Sequence, residues 1–159
     1  MSLEPPIQIL YVCTGNICRS PFAAAAARAY AERVGLPVKV CSASTLGLSG
    51  EPPDRKMARV AFQAGVPISG TSTPLTAELL EWADHVLVME IRHAEAVRRI
   101  AAEANIKDPN LALLGPFAGV QEISDPHGSW TYGPYRRARL LIQRAVVAHL
   151  EHLAATLKL

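Results

Sequence analysis

The stretch from Ile7 to Val34 constrains the fold more than any other. It opens with a nearly continuous apolar run, Ile7 to Cys13, and passes through a short polar loop. It then continues into an alanine-rich segment, Ser20 to Val34, that stops at Gly35. A run that is apolar at almost every position, rather than at alternate ones, suits a strand covered on both faces. Alanine is the strongest helix former, and a glycine just past the last helical residue is a common terminator. Strand, loop and helix in this order begin a parallel crossover unit, which requires a sheet with helices packed on it.

The remainder keeps that alternation. Val38 to Ala43 reads as a second strand. Pro52-Pro53 marks a loop, and Asp54 suits the N-cap of a helix running to about Gly65. Thr76 to Ala83 predicts a shorter helix, His85 to Met89 a third strand, His93 to Ala104 a helix, and Leu111 to Leu114 a short fourth strand. Gly115 to Pro134 is rich in glycine and proline and reads as irregular. Tyr135 to Leu157 predicts a long amphipathic helix with a core stripe of Leu140, Leu141, Ala145, Val146, Leu150, Leu153 and Leu157. Arg136, Arg137, Arg139 and Arg144 near its start read as a solvated face. The expectation is a single α/β domain over residues 1–159: a doubly wound sheet of about four parallel strands in flavodoxin-like order, with helices on both faces. Ligands of such sheets bind beyond the carboxyl ends of the strands, at the switch point.

Composition narrows the function classes. Half of the 159 residues are hydrophobic, enough for a real core, and the net charge of +2 gives no reason to expect nucleic acid or a membrane surface as partner. No apolar run is long enough to span a bilayer. Met1 to Pro6 lacks the basic and apolar regions of a signal peptide, so a cytoplasmic location is expected. Cys13, Cys18 and Cys41 make neither a disulfide framework nor a zinc site, because no CxxC or HxxxH pair accompanies them. No metal or other cofactor is expected. Cys41 reads as a core residue of the second strand.

The loop itself carries the chemistry. Cys13 and Arg19 bracket Thr14, Gly15, Asn16, Ile17 and Cys18, and Ser20-Pro21 follows. A loop entering a helix N-terminus turns several backbone N–H groups toward one point and adds the positive end of the helix dipole. The same field stabilises a thiolate at the loop's first residue. Arg19 adds a planar fork of donors matched to phosphate oxygens. Gly15 and Asn16 both tolerate positive φ, which suits a tight cradle. The segment reads as a nucleophile inside an oxyanion cradle.

With its strand in front and Ser-Pro behind, this loop resembles that of the low-molecular-weight protein tyrosine phosphatases. Ser42-Ala43, Gly50-Glu51-Pro52-Pro53-Asp54, Ala83-Asp84-His85 through Met89-Glu90, and Asp125-Pro126 are similar to further family segments, so the resemblance spans essentially the whole chain. It implies that Cys13 attacks phosphorus and forms a phosphocysteine. It also implies that the amides of Thr14 to Arg19 and the Arg19 guanidinium hold the phosphoryl oxygens, and that Ser20 donates to the Cys13 sulfur. Asp125 would protonate the leaving oxygen and then activate water. A protective Cys13–Cys18 disulfide under oxidant is also implied. The partner would be a phosphorylated protein, with phosphotyrosine first among substrates, and the enzyme a monomer or weak homodimer.

Several positions depart from the family pattern. Ala24 stands where many relatives have Glu. Gly70 and Thr73 stand where His and Arg are usual, and that His normally braces the loop. Leu48 and His127 occupy the expected cleft walls, where relatives place aromatic residues. Trp130, Tyr132 and Tyr135 suit either a rebuilt wall or packing for the last helix. Ile17 stands where related arginine phosphatases carry Thr, which favours the tyrosine pattern. Two alternatives stay open: a phosphate- or phosphoprotein-binding module with weak or no turnover, and a thiol-dependent arsenate reductase using an external thiol.

Overall fold

A computed structural model describes residues 5–157. The reading of Met1 to Glu4, and the two ends of the expected 1–159 domain, lie outside those residues. Four parallel strands form one sheet in the order β2-β1-β3-β4: β1 Ile7–Cys13, β2 Val38–Ser44, β3 His85–Val88 and β4 Leu111–Leu113. The helices are α1 Arg19–Val34, α2 Arg55–Gln63, α3 Ala77–Trp82, α4 Ile91–Glu103 and α5 Gly133–Thr156. The expected architecture and strand order therefore hold. Among the described residues, no helix is long and apolar enough to cross a membrane.

Local chemistry explains the element ends. Gly35 takes a left-handed conformation, φ 74°, and returns its N–H to the Ala31 carbonyl, closing α1. Asp54 caps α2 by accepting from the Met57 N–H at 3.0 Å, and Thr76 Oγ1 caps α3 by accepting from the Leu79 N–H at 3.2 Å. The stretch from Gly115 to Pro134 is irregular apart from a single 3-10 turn, Gly115–Ala118, and the first helical residues of α5.

Alternate residues of β1 serve two separate cores. Ile7, Ile9, Tyr11 and Cys13 face a cluster built with α1, α2 and α5, while Leu10 and Val12 face a second cluster with Leu80, Ala94, Val97 and Ala101 from α3 and α4. Both faces of the strand are thus buried, which is why its sequence shows almost no polar alternation. On α1 the small side chains Ala23, Ala24 and Ala27 are fully buried, letting the helix lie close to the sheet. Ala24, in the place of a family Glu, is such a packing residue. Cys41 is only half-buried at the edge of the second cluster, so the expectation of a core cysteine is corrected.

The stripe on α5 also needs correction. Ala145, Val146, Leu150 and Leu153 are buried as expected, but Leu140 and Leu157 are exposed and Leu141 is only half-buried. Tyr135, Ala138, Ile142 and His149 fill the inward positions instead. Leu140 and Leu157 are hydrophobic but lie off the inward face, which follows the position of the helix over α1.

His149 gives the fold an acid-labile point. It is 4% exposed, packs edge-on against Phe117 at 5.0 Å, and its Nδ1 has no partner among the described residues. Burial, with His85 and His152 nearby, pulls its pKa down to about 4. The unfolded chain therefore binds more protons between that value and the ordinary histidine range, and stability present above pH 6.5 is lost as pH falls toward 4. This group alone is worth about 3 kcal/mol over that window. Urea titrations at pH 7 and pH 4 should show the loss, and His149→Leu should flatten it by that amount. An unchanged pH dependence in the variant would refute the assignment.

Candidate active site

The parallel register brings the carboxyl ends of β1, β2 and β3 to one edge. Cys13 pairs with Ser44, and Val12 with Val88, two residues before Glu90. This edge is the switch point, because the chain leaves β1 toward β2 on one side and reaches β3 on the other. A cleft of about 160 Å³ opens here, lined by Cys13, Thr14, Gly15, Ile17, Cys18 and Arg19 from the loop, Leu46 and Leu48 from one side, and Asp125 and His127 from the other.

Cys13 sits at the base of the cleft. Its Sγ lies 3.0 Å from Ser20 Oγ and accepts the Ser20 backbone N–H at 3.4 Å, so the first turn of α1 points directly at the sulfur. Among the described residues the N–H groups of Thr14 to Arg19 find no protein acceptor, which leaves a ring of donors for an anion. Asn16 makes the tight turn with φ 54°, as expected, whereas Gly15 does not take positive φ. Leu48 Cδ1 would lie 3.7 Å from a Cβ at Gly15, so the leucine rests over the loop as a wall.

Asn16 and Ser20 brace the loop from beneath and do not line the cleft with their side chains. The Asn16 amide donates to Ser20 Oγ at 2.7 Å, and its Oδ1 accepts the Thr73 backbone N–H at 2.8 Å. The main chain at Thr73 thus supports the loop where a family side chain is missing. Ser44 Oγ donates to the Thr14 carbonyl at 2.6 Å. Thr14 Oγ1 lies 2.8 Å from His93 Nε2, while His93 Nδ1 accepts the Glu90 N–H at 3.0 Å. The Nδ1 acceptor role fixes the neutral Nε2–H tautomer. Burial and the Arg19 charge push the His93 pKa down to about 4, in keeping with that tautomer.

Arg19 is 1% exposed and held mainly through Nη1. Its Nη1 donates to Glu90 Oε2 at 2.6 Å and to the Ile123 carbonyl at 2.7 Å. Its Nη2 lies 3.4 Å from Asp125 Oδ2 and 3.4 Å from Thr14 Oγ1. The Nε–H is buried without a partner among the described residues, so donors remain for a bound oxyanion. Burial alone would raise the Glu90 carboxyl, but Arg19 and Arg92 outweigh it and hold it ionised below its usual range.

Asp125 and His127 form the far wall. The His127 N–H donates to Asp125 Oδ1 at 3.0 Å, and His127 Nδ1 meets Asp54 Oδ2 at 2.5 Å. Tyr135 OH donates to the same Asp54 oxygen at 3.1 Å, and the Asp54 N–H donates to the Ile17 carbonyl at 2.7 Å. Asp54 therefore ties the cradle, α2 and the Asp125 loop together. Burial would raise its carboxyl, but the Met57 N–H, His127 and Tyr135 hold it below the ordinary range. Cys18 is buried at the end of the loop, and burial first, then Asp54, Asp125 and Cys13, push its thiol up, so it stays protonated near neutrality. Both Cys13 and Cys18 are free thiols here.

The remaining aromatics do not rebuild the cleft wall. Tyr135 is buried against Asp54, Tyr132 packs near Arg59 and Arg136, and Trp130 stands outside the cleft. Sequence reasoning missed Glu90, His93, Asp54 and Leu46 as site residues. One signal was available for Glu90: it directly follows the third strand's carboxyl end, where such sheets place ligands.

Comparison with known proteins agrees with this geometry. The family profile described as low molecular weight phosphotyrosine protein phosphatase matches residues 8–159. The chain belongs to this family. It is thus a hydrolase of the protein-phosphatase class, as the loop implied. A protein-arginine-phosphatase of Geobacillus stearothermophilus is 37% identical over 84% of this chain and 87% of its own length. The low molecular weight protein-tyrosine-phosphatase Etp of Escherichia coli K12 is 42% identical over 75% of this chain and 76% of its own. Among solved structures, Wzb of Vibrio vulnificus in complex with benzylphosphonate superposes with a TM-score of 0.81, at 32% identity, covering 92% of this chain and 98% of that one.

Proposed function

We propose that this family member hydrolyses phosphotyrosine in phosphoproteins through a phosphocysteine. The observation that carries the reading is the convergence of Cys13, the unpaired loop amides, the Arg19 fork and Asp125 on one small cleft. The Cys13 thiolate attacks phosphorus and the S–P bond forms as the P–O bond to the leaving group breaks. The amides and Arg19 hold the non-bridging oxygens, and hold them tighter as charge spreads. Asp125 delivers its proton to the leaving phenolic oxygen, then takes one from the water that releases phosphate and returns the thiolate. Ser20 donates to the departing sulfur. His127 keeps Asp125 in place through its N–H and its hold on Asp54.

The walls support an aryl substrate. Leu46, Leu48 and Ile17 form an apolar slot that suits a flat ring, and benzylphosphonate, bound by the Vibrio relative, is an aryl phosphate mimic. A second reading, phosphoarginine, is favoured by the Geobacillus relative's name. Asp125 would then face a guanidinium. Against it, Ile17 offers no hydroxyl to a polar leaving group.

Phosphotyrosine, phosphoserine and phosphoarginine peptides of one sequence should separate the readings, with the highest kcat/KM on phosphotyrosine. Preference for phosphoarginine would replace the proposal, and phosphate binding without turnover would leave only a binding module. Asp125→Ala should slow an alkyl-like, poor leaving group by about 10²-fold or more and a nitrophenol far less. Equal slowing of both would remove Asp125 from the general-acid role.

A further inference from the structure

Beside the reaction cleft, and sharing His127 with it, runs a second and more open groove of about 500 Å³. One bank is the chain entering α2, Pro53 to Lys56. The other is the loop from His127 to Trp130, with Tyr135 beneath. Trp130 is 96% exposed on this bank. An indole left in water has a large apolar area still to cover and a polar N–H to satisfy, a combination common where proteins grip other chains.

The charge around the groove is one-sided. Asp54 lines it, but its carboxylate already accepts from the Met57 N–H, His127 and Tyr135. Arg55 and Lys56 have no acidic partner among the described residues. Arg59 and Arg136 lie 5.6 and 5.5 Å from the centre of the Tyr132 ring, extending the same basic face. Such clustering is not a consequence of overall charge, which is only +2.

We propose that this groove docks the peptide segment flanking the phosphorylated residue, and that it selects acidic side chains there. The proposal rests on the phosphatase reading above for what occupies the neighbouring cleft. Continuity through His127 places the flanking residues in the groove once the phosphoryl group is in the cradle. Trp130 covers the peptide's apolar stems, and Arg55 and Lys56 meet its carboxylates. Exposed ion pairs are individually weak and screened by salt, so the selection is several-fold and fades at high ionic strength.

Two phosphotyrosine peptides, one flanked by Glu and the other by Gln, provide the test. At low salt the Glu peptide should have a kcat/KM about fivefold higher. The double variant Arg55→Gln/Lys56→Gln should bring that ratio close to one and leave p-nitrophenyl phosphate turnover unchanged, which also shows that the variant is folded. Equal rates on the two peptides, or a ratio that survives the double variant, would overturn the proposal. If p-nitrophenyl phosphate is not turned over at all, the phosphatase reading fails separately. Calorimetric binding of the same peptides to the wild-type chain then decides. Tighter binding of the Glu peptide, lost in the double variant, upholds the groove, and equal binding refutes it.

Discussion

Cys13→Ser is expected to remove turnover of aryl phosphates by at least about 10⁴-fold while phosphate still binds. Among the described residues, the sulfur alone is positioned both under the loop amides and against the α1 N-terminus. A serine hydroxyl at the same place keeps the shape and the hydrogen bond to Ser20. It is a far weaker nucleophile, because it must lose its proton to attack and its neighbour, the Ser20 hydroxyl, is no base. The cradle donors belong to the main chain and to Arg19, so the substitution leaves them intact. Steady-state kinetics and phosphate titration of the same sample check both halves. Turnover above about one part in a hundred of wild type would show that another group, or a directly activated water, does the attack.

Arg19→Lys should cost about 10²- to 10³-fold in kcat/KM although the charge is kept. The guanidinium uses Nη1 on Glu90 and on the Ile123 carbonyl, and keeps for an anion the unpartnered Nε–H and an Nη2 held only by two 3.4 Å contacts, to Asp125 and Thr14. An ammonium is shorter and cannot present two parallel donors while holding those partners. Ile123 stands two residues before Asp125, so loss of its contact also loosens the loop of the proposed acid. A kcat that falls together with kcat/KM is the expected signature of an interaction strengthened in the transition state. A raised KM at constant kcat would instead make Arg19 a simple anchor for the ground state.

Much of this site was legible because its chemistry is concentrated in one contiguous segment. Cys13 to Ser20 carries the proposed nucleophile, the loop donors and the guanidinium on a strand–loop–helix unit whose geometry follows from apolar run, loop and alanine helix. Asp125 came from the resemblance, since nothing local distinguishes an acid before proline from a turn former. The bracing was hidden for a different reason. His93, Glu90, Ser44 and the Thr73 amide reach the loop from separate elements, and only the register of β1 with β2 and β3 brings them within hydrogen-bonding distance. The His that normally braces the family loop is absent at Gly70, yet a backbone N–H and an imidazole from α4 hold the loop here. On α5 the leucines misled because hydrophobicity ranks residues, whereas burial is assigned by which side of the helix meets α1.

Arg19 is fixed before any phosphate arrives, by a carboxylate and a carbonyl that hold it in an almost fully buried position. The rotational freedom of its long side chain is therefore surrendered during folding rather than at each encounter with substrate. Under the proposed reaction a bare phosphoryl group would meet a receptor with little left to rearrange, so even a small ester would be processed without help from distant contacts. The same rigidity makes the cradle indifferent to what the phosphate is attached to. Discrimination among substrates must then be exercised outside it, by the aliphatic slot at Leu46 and Leu48 and by whatever the chain beyond the phosphate touches.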